Sequence, residues 1–258
     1  MLSHYDFRAH RLLVQTIGER AYDIVMDISP DDPMFSGHRG TYMFASASAL
    51  EWIMSMLDLE REGEVRSILD MGSGYGRVTR SLRATFPDAS ITACDTDPAA
   101  VEFCRRMFDA NAITADEDPS STELDGEFDL IWAGSLLPRL PVERWPGMLD
   151  LLGRHLREDG LLILTTLAWQ SSPILRGLGV PEKDMRSLWQ DYEARGFAHQ
   201  SRLETNGSRL TLTAPGWVRW VVHSSKLLRV ARQRESVWDT PRPREDVIAC
   251  VHPFRSDA

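Results

Sequence analysis

From Tyr5 to Leu59 the apolar positions recur at steps of three and four. Leu12, Leu13 and Ile17, then Tyr42, Ala45, Leu50, Ile53, Met54 and Leu57, predict a preface of two or three helices. Ser29-Pro30-Asp31-Asp32-Pro33 and Ser36-Gly37-His38-Arg39-Gly40 read as loops between them. From Val65 the pattern changes to short apolar runs alternating with helical stretches. Strands are predicted at Ser67–Asp70, Ser90–Asp95, Phe128–Ala133 and Gly160–Thr165, with helices near Val78–Thr85, Ala99–Phe108 and Val142–Leu156. Repeated strand–helix units imply a parallel sheet covered on both faces. After Thr166 the pattern loosens: a helix near Glu182–Arg195, a short run Leu210-Thr211-Leu212, a segment Trp217–His223, and strand-like runs Lys226–Val230 and Asp246–Val251.

A chain of 258 residues with 43% hydrophobic and 26% charged content fits one α/β domain with added elements. The formal charge of −9 would repel a phosphate backbone, so nucleic acid is not expected as a partner. The charged first twenty residues lack a signal-like or membrane-spanning run, so no membrane association is expected and the cytoplasm is the expected compartment. The three cysteines, Cys94, Cys104 and Cys250, show no metal-ligand spacing and read as buried thiols; no metal is expected.

The chemistry concentrates at the first strand–helix junction. Asp70-Met71-Gly72-Ser73-Gly74-Tyr75-Gly76 places three glycines at alternate positions, where backbone amides can approach a ligand without Cβ obstruction. Asp70, two positions before the first glycine, suits an ammonium group. Asp95 ends the next strand, where a carboxylate can accept hydrogen bonds from both ribose hydroxyls. Asp97, just ahead of Pro98, is the better N-cap for the following helix. A nucleoside with an amino-acid tail satisfies both acids.

These motifs resemble those of the class I methyltransferases. ILDMGSGYGR is similar to the family's first motif, ITACDTDPAAVEFC to its second, FDLIWAGSLLPRL to the strand-four motif and LREDGLLILTT to that of strand five, over about Val65 to Thr166. The resemblance implies a Rossmann-like, mostly parallel seven-stranded sheet of order 3-2-1-4-5-7-6, its last strand antiparallel, with helices on both faces and an N-terminal helical cap. It implies S-adenosyl-L-methionine as cofactor. By that likeness Asp70, Gly72, Ser73, Gly74 and Gly76 would hold the methionine moiety and Asp95 the ribose. Thr96 would lie against the adenine, Asp116 would face its amino group, and Ala133, Gly134 and Ser135 would line the cofactor beneath strand four.

The expected organisation is a cap or lid over residues 1–60, then a methyltransferase domain over 61–258 with a cofactor half (61–170) and an acceptor half (171–258). The tail is similar to a narrower group of bacterial methyltransferases ending in Trp238-Asp239 and Asp246-Val247-Ile248-Ala249-Cys250. That likeness leans toward surface-carbohydrate or secondary-metabolite tailoring.

Three departures bear on the acceptor. Pro138 and Arg139 stand where many small-molecule members carry paired histidines. The strand-four signature of amino-group methylation on bases and glutamine is absent, and no cysteine follows that strand. The expected reaction is transfer to oxygen or nitrogen of a small-molecule or carbohydrate acceptor, with His223 as candidate base and His38 second. Tyr42 is a candidate to close over the cofactor's carboxylate. Trp217, Trp220 and Trp238 are read first as core and second as an acceptor wall. The basic run from Arg219 to Arg244 reads first as a solvated face. A non-catalytic cofactor-binding subunit and an NAD-dependent oxidoreductase are the competing classes; the glycine spacing and Asp70 count against the second.

Overall fold

The computed structural model describes residues 4–116, 118, 121–177, 179–200, 210–239 and 244–253. Its centre is a seven-stranded sheet of β1 (Ser67–Met71), β2 (Ser90–Asp95), β3 (Asn111–Thr114), β4 (Phe128–Ala133), β5 (Leu156–Thr166), β8 (Arg229–Asp239) and β9 (Arg244–Val251). The strands lie in the order β3-β2-β1-β4-β5-β9-β8, with β9 antiparallel to both neighbours and the first five parallel. Counted within this sheet, the order is the 3-2-1-4-5-7-6 implied by the sequence. Two strands not in that count, β6 (Phe197–Gln200) and β7 (Leu210–Thr213), form a separate antiparallel pair.

Consecutive strand residues supply opposite faces, as the pleat requires. Leu69, Met71, Ile131, Leu162, Leu164 and Ile248 join one core with α5 (Trp145–Arg154) and α8 (Pro215–Ser224). Ile68, Leu130, Trp132, Leu161, Ile163 and Val247 join the other, with α2 (Arg39–Glu60), α3 (Thr79–Thr85) and α4 (Pro98–Phe108). Burial on both faces is why these strands read as continuous apolar runs. β3 escaped the sequence reading because it is an exposed edge of Asn-Ala-Ile-Thr with no such run. β8 was read too short. It is the opposite edge strand and carries Arg229, Arg232 and Arg234, charges of the kind that keep an edge from pairing with another chain. Arg242 of the same basic run lies outside the described residues.

The preface consists of α1 (His4–Ile17), a 3-10 stretch over Gly18–Asp23 and the long α2, which already includes Arg39 and Gly40. Helix α2 is apolar all round because it is covered on two sides. Tyr42, Met43, Ala47 and Leu50 meet Ala9, Leu13 and Ile24, while Ala49, Ile53 and Met56 meet the sheet. Two indole hydrogen bonds fasten it to β8: Trp52 Nε1 donates to Val237 O and Trp238 Nε1 to Ala45 O, both at 3.2 Å. Helix α2 thus packs on the sheet as well as on α1. The loop between the 3-10 stretch and α2 reaches over the C-terminal ends of the strands, with Asp32, Pro33 and Met34 beside the first turn. Buried Arg80 holds the start of that loop, donating to Val25 O (2.7 Å) and Asp27 O (2.9 Å).

Candidate functional site

The turn after β1 is built by glycine geometry. Gly72, Gly74 and Gly76 have φ of +80°, +50° and +73°, values that side chains disfavour. The amides of Gly72 and Ser73 donate to Cys94 O at 2.8 and 3.1 Å, tying the turn to β2. Gly74 N donates to Asp95 Oδ2 at 2.8 Å. The carboxylate expected at the ribose thus also shapes the turn. Asp95 Oδ1 accepts from Asp97 N (3.1 Å), and Asp97 caps α4 by accepting from Ala99 N (2.9 Å), as its position before Pro98 predicted.

A cavity of about 430 Å³ opens over the C-terminal ends of β1, β2 and β4. Gly72, Ser73, Gly74, Asp95, Thr96, Gly134 and Ser135 line it, so seven of the sequence-expected residues meet there. A Cβ on Gly74 would meet nothing within 4 Å, leaving the turn open to a ligand lying across it. With the amides of the turn and Asp95 at its edge, this surface fits a nucleoside with an amino-acid tail.

Other expected residues are placed differently. Asp70 is buried under the turn, accepts from Thr79 Oγ1 (2.6 Å) and does not line the cavity; burial first, then the charge of Asp95, pushes its carboxyl up to about 7. Gly76 serves packing: a Cβ there would stand 2.2 Å from Phe108 Cε2. Ala133 is wholly inside the core below the cavity. Asp116 is exposed beyond the end of β3, its Oδ2 3.5 Å from Ser121 Oγ. Tyr42 is buried and gives its hydroxyl to Asp32 Oδ2 at 2.6 Å, so it does not face the cavity as a free group.

The base expected at His223 is corrected by the topology. His223 is exposed at the end of α8, its Nε2 3.4 Å from Val230 N at the start of β8, with β9 and β5 between that edge and β4. His38 is exposed just before α2 and does not line the cavity. Trp217 packs against Trp145 and Phe197, and Trp238 is buried edge-on to Trp132, so both are core. Trp220 is 64% exposed on α8. The three cysteines are buried, and burial pushes each thiol up to about 12.

Sequence reasoning missed a polar group beneath the end of β4. Ser135 has φ +55°, a strained value outside glycine, and donates its hydroxyl to Glu245 Oε1 at 2.5 Å. Thr165 Oγ1 accepts from Ser135 N (2.7 Å) and donates to Glu245 Oε2. Glu245 is buried at the start of β9, and burial is the main reason its carboxyl is held above the usual range. Arg77, Arg139, Asp32, Asp97, Met34 and Leu136 are also on the wall. A larger cleft of about 520 Å³ lies at the other edge of the sheet, where Val65 and Arg66 lead into β1. Its arginines are engaged: Arg61 with Asp129 (2.9 Å), Arg66 with Glu64 (2.9 Å) and Arg20 with Thr85 O (2.5 Å).

With this geometry in view, the comparisons with known proteins converge. A family model described as a methyltransferase domain matches residues 68–160. The malonyl-[acyl-carrier protein] O-methyltransferase of Acetivibrio thermocellus is 32% identical over 119 residues, covering 44% of this chain and 40% of that one. The trans-aconitate 2-methyltransferase of Deinococcus radiodurans is 27% identical, covering 51% and 50%. The chain thus spans about half the length or less of these relatives. In fold it is similar to the glycopeptide N-methyltransferase MtfA complexed with S-adenosyl-L-homocysteine, with a TM-score of 0.57 at 16% identity over 94% of this chain and 97% of that one. Over residues 68–160 the chain is similar to methyltransferase domains, and its seven-stranded sheet has the Rossmann-like methyltransferase fold.

Proposed function

We propose that this chain transfers a methyl group from S-adenosylmethionine to oxygen or nitrogen of a small-molecule or glycan-like acceptor. The observation that carries the reading is the convergence of the Gly72–Gly74 turn, Asp95 and Ser135 on one cavity at the C-terminal edge of β1, β2 and β4. When bound, the cofactor supplies an electrophilic methyl carried on a sulfonium. The turn amides and Asp95 would fix its nucleoside and tail, and Leu136, Met34 and Pro33 would keep water from the reacting end.

A hydroxyl or amine acceptor must lose a proton as the new bond forms. Ser135 lines the cavity with Glu245 behind it, so its hydroxyl is the group in position to receive that proton and hand its own to the carboxylate. Malonyl-[acyl-carrier protein] and trans-aconitate in the relatives' names, and the glycopeptide of MtfA, support acceptors outside nucleic acid. The acidic net charge supports the same. The ribosomal RNA and ribosomal protein L11 methyltransferases among the relatives name the opposing outcome.

The test combines binding and transfer. S-adenosylhomocysteine should bind in a calorimeter, and Asp95→Ala should weaken it at least tenfold, since hydrogen bonds to a charged acceptor contribute about 1.5–3 kcal/mol. Labelled S-adenosylmethionine incubated with fractionated metabolites should then label a small product. Label entering RNA or protein alone would refute the acceptor class, and binding without any transfer would favour a non-catalytic subunit.

A further inference from the structure

The cavity holds cationic capacity that the glycine turn and Asp95 do not use. Arg77 lies on its wall, half-buried, and among the described residues its guanidinium has no hydrogen-bond or ion-pair partner. Its close neighbours are the faces of Tyr42 and Trp238, each 6.0 Å from the guanidinium carbon. Asp32, Glu245 and Asp70 face it, and all three are engaged. Asp32 accepts from Tyr42 and from Met34 N (2.8 Å), Glu245 accepts from Ser135 and Thr165, and Asp70 accepts from Thr79. Arg139, on the rim of the same cavity, adds a like charge that acts on Arg77; its guanidinium contact is Met34 Sδ at 3.4 Å. Arg77 is half-buried without a partner and Arg139 is exposed on the rim, so both guanidinium groups are open to an anion entering the cavity.

Position indicates which anion. Arg77 follows Gly76 in the turn, but its guanidinium lies against Trp238 on β8 and faces Glu245 on β9 and Arg139 after β4, on the opposite side of β1 from β2 and Asp95. Charge indicates its valence: Asp32 and Glu245 offset much of the two guanidinium charges, which favours a monoanion over a phosphate. We propose that Arg77 and Arg139 form a carboxylate-binding subsite for the acceptor, so that the methyl acceptor is a small organic acid. An arginine fork receives a carboxylate through two parallel hydrogen bonds. The inference rests on the methyl-transfer reading above, and deepens it by naming the acceptor's chemical class.

Calorimetric titration of acetate, propionate and benzoate, each a monoanion at neutral pH, into the S-adenosylhomocysteine complex tests it, with inorganic phosphate as the comparison. At least one acid should bind, more tightly than phosphate. Arg77→Gln and Arg139→Gln should each weaken that acid at least tenfold while leaving S-adenosylhomocysteine within threefold. Failure of every acid to bind, equal or tighter phosphate binding, or indifference to both substitutions would overturn the subsite. Loss of S-adenosylhomocysteine but not of 5′-methylthioadenosine in Arg77→Gln would assign the guanidinium to the cofactor's carboxylate and also overturn it. Arg139 is exposed, so its variant keeps the test intact should Arg77→Gln fold poorly. If the parent chain fails to bind S-adenosylhomocysteine, the methyl-transfer reading fails separately. Titration of the acids into the free protein then still decides the subsite.

Discussion

Asp70, expected from the sequence at the methionine moiety, is buried away from the cavity lining. Its carboxyl lies under the turn rather than in the cavity, bonded to Thr79 and facing the charge of Asp95, with Arg77 partly offsetting both. The folded value near 7 exceeds the ordinary 3.8, so between about pH 4 and 7 the folded state holds more protons than the unfolded one. Stability therefore falls as pH rises through that window. Asp70→Asn can keep the Thr79 hydrogen bond without the charge. It should melt several degrees above the parent at pH 8, at roughly 2–4 °C per kcal/mol for a chain of this size, with the gap closing toward pH 4. A gap that stays constant with pH would show that Asp70 ionises normally.

Among the elements, the first turn and α4 are coupled through Gly76. The absent Cβ is what lets Phe108 and Cys104 close against the turn; an added methyl would stand 2.2 Å from the first and 3.0 Å from the second. Gly76→Ala combines overpacking with a positive φ and should cost on the order of 2–4 kcal/mol in urea unfolding. Gly74→Ala meets no atoms within 4 Å, so it should cost only about 1–2 kcal/mol while weakening S-adenosylhomocysteine. Equal losses at the two sites would mean that backbone strain alone decides. The alternating glycines were legible because a tight turn restricts residue type locally. Which of them faces ligand and which faces helix depends on where α4 packs.

For the whole molecule, the question is what covers the cavity. Helix α2 is held to the sheet by its core and its bonds to β8, so we propose that the lid is the loop ahead of it. Asp32, Pro33 and Met34 line the cavity while Ser36, Gly37 and His38 are exposed. A broad-specificity protease should cut near Gly37 in the free protein, and saturating S-adenosylhomocysteine should suppress that cut. Cutting at the same rate with and without ligand would remove the loop from the closing mechanism.

The sequence by itself determined four of the five parallel strands, the glycine turn, the acid that ends β2 and the cap at Asp97. Each is written in neighbours a few positions apart, through strand alternation, turn geometry and capping. The edge strand β3 was not legible and β8 only in part, because an exposed edge needs no continuous apolar run. Tertiary structure alone decided the wall of the cavity opposite β2. The order β4-β5-β9 carries Glu245 to Ser135 across 110 residues, sets Arg77 facing Arg139, and leaves His223 at the far edge. Local periodicity records which face a side chain takes but not which strand lies beside it. That choice is made when the sheet closes its two apolar faces, and with it the chemistry of the cavity.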